Sequence, residues 1–320
     1  MNLFHSVRAV ASSGDGEGAI DWDAVVEAAR AGTDPGSVDL TQAERSGYAT
    51  DVRDARDRVR EVAAVEFDVP DAIEIQHRHH WIDANVATFR RVLGPLEDQQ
   101  SEFLPGVART VNTGTMSFML GFLARNVLGQ YDPLLLADEA DADHALYFVH
   151  PNIQQVAADL QVDFPRFRRW IAFHEVTHAA EFGAAPWLSS YLEDRMEEGL
   201  DDLSQGGFDR EAFREMNVAM TVVEGYAELL MDHAFDDEYA DLRAKVDARR
   251  QSGGPISKLA KRLLGLGLKR QQYERGKEFF EGVAALRGLE AAGAVWESPE
   301  HLPTDDELDD PGAWARRVGV

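Results

Sequence analysis

Cysteine is absent from the 320 residues of this chain. Its absence excludes disulfide bonds and every metal site that depends on thiolate ligands. A transition metal must therefore be held by histidine and carboxylate side chains. Long apolar runs are also lacking: no stretch approaches the roughly 20 apolar residues that span a bilayer, and Met1–Gly14 does not resemble a signal peptide. We expect a soluble, cytoplasmic protein that does not associate with membranes.

Basic residues are few, 32 against 57 acidic ones, which gives a formal net charge of −25. This charge makes nucleic acid and anionic membranes unsuitable partners. The apolar content is that of a folded protein, so the acidity does not indicate disorder. Because salt screens self-repulsion, and because lysine is scarce beside arginine, the composition favours a halophilic protein over an ordinary acidic enzyme.

An H-E-x-x-H motif runs from His174 to His178 at the centre of the sequence. In a helix, residues four positions apart lie on one face, so both imidazoles can point at one metal ion. Glu175 lies about 100° round the helix from His174, where it can take a proton from a zinc-activated water. The surrounding residues are apolar or small, which predicts a buried helix where such polar groups need a cation. The motif therefore predicts a zinc site, against the alternative of an accidental match.

A second helix, predicted between 209 and 235, carries Glu224 and Glu228 one turn apart on one face. Two like charges on a largely apolar helix are unfavourable without a cation. If Glu224 is the third metal ligand, Glu228 can accept a hydrogen bond from the distal nitrogen of a ligand histidine. The alternative is an amphipathic helix whose glutamates reach solvent; beside the H-E-x-x-H motif, we prefer the ligand interpretation.

Helical periodicity dominates the rest of the chain. A long helix is predicted between 40 and 65, and a buried one between 111 and 128. The best strand candidate is 145–150, which is stopped by Pro151. By analogy with zinc peptidases, we hypothesise that it is an edge strand that holds an extended substrate. The fold class is therefore predicted to be mainly α with a small β element, and with the metal site between two helices.

Three histidines, His77, His79 and His80, fall within four residues at the start of a further predicted helix. They could hold a metal, but no nearby carboxylate completes a ligand set. We therefore interpret them as a polar helix start.

The domain organisation is expected to be simple. Residues 1–20 are predicted to be a flexible lead-in, because the stretch ends in serine, glycine and acidic residues. Residues 21–296 are predicted to form a single domain with ample core. Residues 297–320 are predicted to be an acidic, proline-rich tail.

Several longer stretches of the chain resemble zincin-like type 2 metallopeptidases, a family of hydrolases from actinobacteria and haloarchaea. Some members carry a label that links them to deazaflavin-coenzyme biosynthesis. The stretches that carry the resemblance are Asp21-Trp22, His80-Trp81-Ile82-x-Ala84-Asn85, Val127-Leu128-Gly129-Gln130-Tyr131-Asp132, Phe148-Val149-His150-Pro151-Asn152, Phe173-His174-Glu175-Val176-Thr177-His178, Pro186-Trp187-Leu188, Glu224-Gly225-Tyr226-Ala227-Glu228, Gln272-Tyr273-x-x-Gly276 and Trp314-x-Arg316.

This resemblance implies a zincin-like helical domain with zinc bound by His174 and His178 and with Glu175 as the base. An E-G-x-x-E-like segment supplies the third ligand in the wider group, which implies Glu224 as the ligand and Glu228 behind it. One departure is Glu181, where the family pattern has glutamine before the following phenylalanine. It puts no ligand in doubt.

The predicted function is zinc-dependent hydrolysis of an amide, on a peptide or a small amide substrate. A further donor should stabilise the oxyanion, and the sequence does not rank the candidates. These candidates are Tyr226, Tyr273, His150 and His233. The alternative is a non-catalytic binding or structural protein stabilised by zinc. The sequence does not determine the oligomeric state or the identity of the substrate.

Overall fold

The chain forms a layered assembly of helices with one small sheet, seen here in a computed structural model. The structure describes residues 3–13, 18–63, 67, 72–94, 105–131, 145–204, 207, 209–235, 239–251 and 266–320. The helices are α1 (Leu3–Ser12), α2 (Trp22–Ala31), α3 (Gln42–Ala63), α4 (Arg78–Val92), α5 (Pro105–Ala124), α6 (His150–Leu160), α7 (Phe164–Ala184), α8 (Leu188–Ser204), α9 (Arg210–Ala234), α10 (Ala240–Gln251), α11 (Leu266–Arg287), α12 (Leu289–Ala292) and α13 (Pro311–Val318). The strands are β1 (Ala72–Gln76), β2 (Gly129–Tyr131) and β3 (Ala145–Val149). The predicted fold class, mainly α with a small β element, is confirmed.

The sheet has the strand order β1-β3-β2. β1 runs parallel to β3 with Ala72 opposite Ala145, and β2 runs antiparallel with Gly129 opposite Phe148. The strand predicted at 145–150 exists, but β3 has a neighbour on each side. The hypothesis that it is the edge strand is therefore wrong. The sequence pattern did not predict β1, and at β2 it predicted only a break in the helix. A strand as short as β2 depends on its cross-strand partner, which the sequence does not reveal.

The helices pack around two apolar clusters. The larger one joins α3, α7, α9 and α11 with the C-terminal segment, and the smaller one joins α2, α4 and α5. A buried ion pair crosses the α3–α7 interface, where Arg168 Nε donates to Asp51 Oδ2 at 2.6 Å. Because a buried charge needs a partner, this pair fixes how α7 lies on α3. The helix that carries the H-E-x-x-H motif is thus anchored at its N-terminal end.

Side-chain caps begin the two helices that matter most for the site. Asp163 accepts from Arg166 N at the start of α7, and Asp209 accepts from two backbone N–H groups at the start of α9. Such caps satisfy N–H groups that have no partner within the helix, which defines where each helix begins. His77 caps α4 in the same way, since its Nδ1 accepts from His80 N at 3.0 Å. This contact agrees with the interpretation of the three histidines as a polar helix start.

Both ends of the chain contain packed structure. α1 lies against α2, where Ser6 Oγ donates to Ala28 O at 2.7 Å. At the other end, Trp314 of α13 is fully buried and contacts the ring of Phe279 on α11. The predicted division of the chain at 20 and 296 stays a prediction, but the C-terminal stretch contributes to the main core.

α5 is not buried all round, contrary to the sequence prediction for 111–128. Val111 and Phe118 are 60% and 48% exposed, whereas Leu120 on another face is fully buried. The apolar composition hid this difference, because both faces carry apolar side chains. No helix in the described ranges is long and apolar enough to cross a membrane.

Candidate metal centre

α7 brings the two motif histidines together, as helical spacing requires. The Nε2 atoms of His174 and His178 are 3.3 Å apart, and both side chains are half-buried. The helix is buried around them, with Val176 fully enclosed. Thr177 is also enclosed, and its Oγ1 donates to Phe173 O at 2.9 Å, which satisfies its hydroxyl inside the helix. The two imidazoles therefore present adjacent nitrogens at the one partly open face.

Glu224 joins them from α9. Its Oε2 lies 3.9 Å from His178 Nε2, and one ligand atom from each of these two residues and from His174 lies within 4.8 Å of the others. Glu224 is 4% exposed. The crossing of α7 and α9 thus assembles the three residues that the sequence predicted as ligands, and no other such group of histidines and carboxylates occurs in the described part of the chain.

A contact between two glycines lies directly behind Glu224. A Cβ atom on Gly225 would stand 2.3 Å from the carbonyl carbon of Gly276, and one on Gly276 would stand 2.2 Å from Thr221 O. Both positions need glycine, because α9 and α11 approach with their backbones nearly touching. α11 therefore supports α9 at the residue next to the third candidate ligand.

Glu175 is buried and lies against β2. A Cβ atom on Gly129 would stand 2.6 Å from Glu175 Cγ and 2.7 Å from its Oε1. Glycine at the start of β2 therefore leaves the space that the Glu175 carboxyl group occupies. This contact places the carboxyl group between the H-E-x-x-H helix and the strand.

Glu181 is a site residue that the sequence analysis did not assign. Its Oε2 lies 2.9 Å from His178 Nδ1, and the side chain is buried. The signal was available, because Glu181 follows His178 by three residues and such residues share a helix face. In the sequence, Glu181 stands out only as a departure from the family pattern.

The carboxylates make the site strongly attractive to a cation. Burial disfavours the charged form of His178, but the neighbouring carboxylates, Glu181 first, outweigh it and raise the pKa of this imidazole to about 9. Burial raises the pKa of Glu181 to about 7, although His178 opposes that shift. Negative charge is thus concentrated in a buried place where a bound cation would relieve the cost.

Glu228 lies one turn beyond Glu224 and forms an ion pair with Arg243 of α10. Arg243 also contacts Asp232, and Asp232 accepts from Lys277 at 2.7 Å. This cluster ties α9 to α10 and α11. The expectation that Glu228 supports a ligand histidine stays a prediction.

The structure does not bring Tyr226 or His150 to the ligand group. Tyr226 lies in the core, its hydroxyl donating to Ala63 O at 3.2 Å. His150 is buried, and its Nδ1 lies 3.0 Å from the Tyr48 hydroxyl. Its ring also packs against Phe164, which precedes the motif by nearly three turns, about 15 Å along α7.

Neither of the remaining two candidates for the oxyanion donor can be assigned to the ligand group. His233 is exposed near the end of α9, about 13 Å along the helix from Glu224. Tyr273 belongs to α11, but its side chain lies outside the described residues. The identity of an oxyanion donor therefore stays a prediction.

Comparison with known proteins gives the family. The model of the zincin-like metallopeptidase family matches residues 20–207 and 199–315. The chain belongs to this family. A crystal structure of a presumed hydrolase with a novel fold, from Chloroflexus aurantiacus, is similar over 100% of this chain and 99% of that one, with 28% identity and a TM-score of 0.73. No curated protein matches the chain. Family membership indicates a hydrolase, and it implies a metal, typically zinc.

Proposed function

We propose that this protein is a zinc-dependent metallopeptidase whose ligands are His174, His178 and Glu224. The observation that carries the proposal is the convergence of these three side chains from α7 and α9, with one ligand atom of each within 4.8 Å of the others. Two imidazoles and one carboxylate are a donor set typical of catalytic zinc sites, which keep a further position open. The partly exposed histidine face supports such an opening.

The chemistry of the donors fits zinc. Two nitrogen ligands at about 2.0–2.1 Å from a tetrahedral zinc ion lie about 3.3–3.4 Å apart, which agrees with the 3.3 Å between the two Nε2 atoms. The site contains imidazole and carboxylate donors, and the chain has no thiolate to offer. When bound, zinc would supply Lewis acidity to polarise a carbonyl and to lower the pKa of a water molecule.

Glu175 is proposed as the general base. Glu175 belongs to the ligand helix α7, and its buried carboxyl group lies against Gly129 of β2, from where it would accept a proton from the attacking water. The same carboxyl group would then donate that proton to the nitrogen of the leaving amine as the amide C–N bond breaks. The contact with Gly129 would hold the group in position between these two transfers.

β2 is proposed to bind the substrate backbone, in place of the strand that the sequence suggested. In the described part of the sheet, β2 has a neighbour on one side only. Leu128 O accepts from Val149 N at 2.8 Å, and hydrogen-bonded pairs alternate with non-hydrogen-bonded pairs in an antiparallel ladder. Gly129 and Tyr131 therefore direct their backbone groups away from β3. An extended peptide could pair with the backbone of Gly129 on this side of β2, next to Glu175.

Metal analysis and a peptide screen in molar salt test the proposal. Purified protein should contain about one zinc per chain, and His174→Ala should lose it. Glu175→Gln should keep the zinc and abolish hydrolysis, because an amide does not accept the proton of water. Stoichiometric zinc in His174→Ala would remove this residue from the ligand set. Zinc without turnover of any peptide would favour the zinc-stabilised structural or binding protein.

A further inference from the structure

We propose that Trp81, Gln130 and Asn85 are positioning residues that hold β2 against Glu175. Trp81 Nε1 donates to Gln130 Oε1 at 2.8 Å, and Gln130 Nε2 donates to Asn85 Oδ1 at 3.0 Å. Asn85 Nδ2 donates to Trp81 O at 2.8 Å, which closes the set. We call these three residues the β2 clamp. The proposal rests on the proposed function, because the position of β2 matters to catalysis only if this strand binds substrate.

The clamp has one hydrogen-bonding arrangement. An indole N–H is a donor only, so it requires the oxygen of the Gln130 amide to face Trp81. The Gln130 nitrogen must then face Asn85, whose oxygen accepts and whose nitrogen points back to its own helix. Trp81 and Asn85 are 3% and 9% exposed. Because misplaced polar groups are costly in such a buried place, the clamp specifies a single position for the Gln130 side chain.

The position of the Gln130 side chain also fixes the backbone of its two neighbours, Gly129 and Tyr131. Gly129 touches Glu175, and both Gly129 and Tyr131 direct their backbone groups away from β3. β2 is only three residues long, so its pairing with β3 supplies few hydrogen bonds to resist displacement. The clamp adds an attachment at the middle residue, from a helix on the other side of the strand.

A second attachment holds the chain where it enters β2. Asn152 Nδ2 donates to Ala124 O at 2.8 Å and to Val127 O at 2.6 Å. Its Oδ1 accepts from Arg78 Nε at 2.7 Å. The end of α5 is thus fixed independently, so a change in the clamp should act on β2 and leave its entry in place.

Two variants test the clamp from opposite sides. Gln130→Glu keeps the length of the side chain but replaces the donor that faces Asn85 with an acceptor. Trp81→Phe keeps an aromatic ring but removes the N–H. The matched control is Gln155→Glu, which makes the same chemical change at an exposed residue whose Nε2 donates to Asp159. All three are made in the 320-residue chain loaded with zinc.

The first readout is amide hydrogen exchange, which does not depend on turnover. Both clamp variants should raise exchange of the Gln130 amide, which faces Tyr147 of β3, on the order of tenfold. The segment that contains Phe164–Ala184, the zinc content and the control variant should stay as in the wild type. Unchanged exchange in β2 for both clamp variants would overturn the proposal.

The second readout compares two zinc-binding probes, a tripeptide hydroxamate and acetohydroxamate. The clamp variants should weaken the tripeptide probe on the order of tenfold while acetohydroxamate, which needs zinc alone, binds as before. In a peptidase assay, KM should rise more than kcat falls. If each probe binds the variants as tightly as it binds the wild type, the clamp proposal is overturned. Selective loss of the tripeptide probe, in a protein that cleaves no peptide, would support the clamp and refute hydrolysis.

Discussion

Replacing Glu181 with glutamine removes one charge from behind a candidate zinc ligand and keeps the shape of the side chain. Glu181 Oε2 lies 2.9 Å from His178 Nδ1 in a buried place. A bond to a charged acceptor stabilises by about 1.5–3 kcal/mol, and a neutral one by about 0.5–1.5 kcal/mol. The loss of about 1–1.5 kcal/mol corresponds to roughly tenfold weaker zinc binding, which is at the lower end of the effect expected for outer partners of ligand histidines.

The assay is competition for zinc against a chelator of known affinity, with Glu228→Gln as the comparison. Glu181→Gln should raise the Kd for zinc about tenfold. In the metal-free protein it should lower the pKa of His178, because Glu181 is the first of the carboxylates that raise this pKa. A Kd that stays within about twofold of the wild type would refute the reasoning. A larger loss in Glu228→Gln would favour Glu228 as the outer partner that matters for zinc.

Three other changes test separate parts of the structure. Glu224→Gln should lower zinc content after dialysis, because a neutral amide is a poorer ligand than a carboxylate; full retention of zinc would place the third ligand elsewhere. Gly129→Ala should reduce kcat on the order of 100-fold with zinc retained, since the added methyl group must displace the Glu175 carboxyl group. Normal activity in the Gly129→Ala variant would show that this contact is dispensable. The melting temperature of the wild type should rise from low to molar salt, because screening reduces the repulsion among its excess acidic groups; a flat profile would contradict halophilic adaptation.

Local rules were sufficient for the histidine half of the site. Helical spacing alone places His174 and His178 on one face, and the cap at Asp163 is a sequence signal for where α7 begins. The same spacing places Glu181 beside His178, because it follows that residue by three positions on the same helix. These relations hold in any helix, whatever the rest of the protein does.

The placement of Glu224 needed the tertiary structure. The sequence could pair it with Glu228 on one face, but its distance from His178 depends on how α7 and α9 cross. The packing of both helices in the core sets that crossing, and the approach of Gly225 to Gly276, far apart in sequence, fixes α9 against α11. Tyr226 shows the same limit, because its neighbourhood in the motif gave no sign that its hydroxyl bonds Ala63 in the core.

The absence of cysteine, the helical periodicity and the charge balance are properties of the sequence alone, and they determined the class of metal ligand and the mainly α architecture. The surroundings of β2, the strand proposed to bind substrate, were decided by the tertiary structure. β2 is too short to be specified by its own residues; it pairs with β3, and Gln130 forms hydrogen bonds with Trp81 and Asn85. The physical reason is range: helix geometry follows from neighbours along the chain, whereas a three-residue strand gains its stability from partners that only the fold brings close.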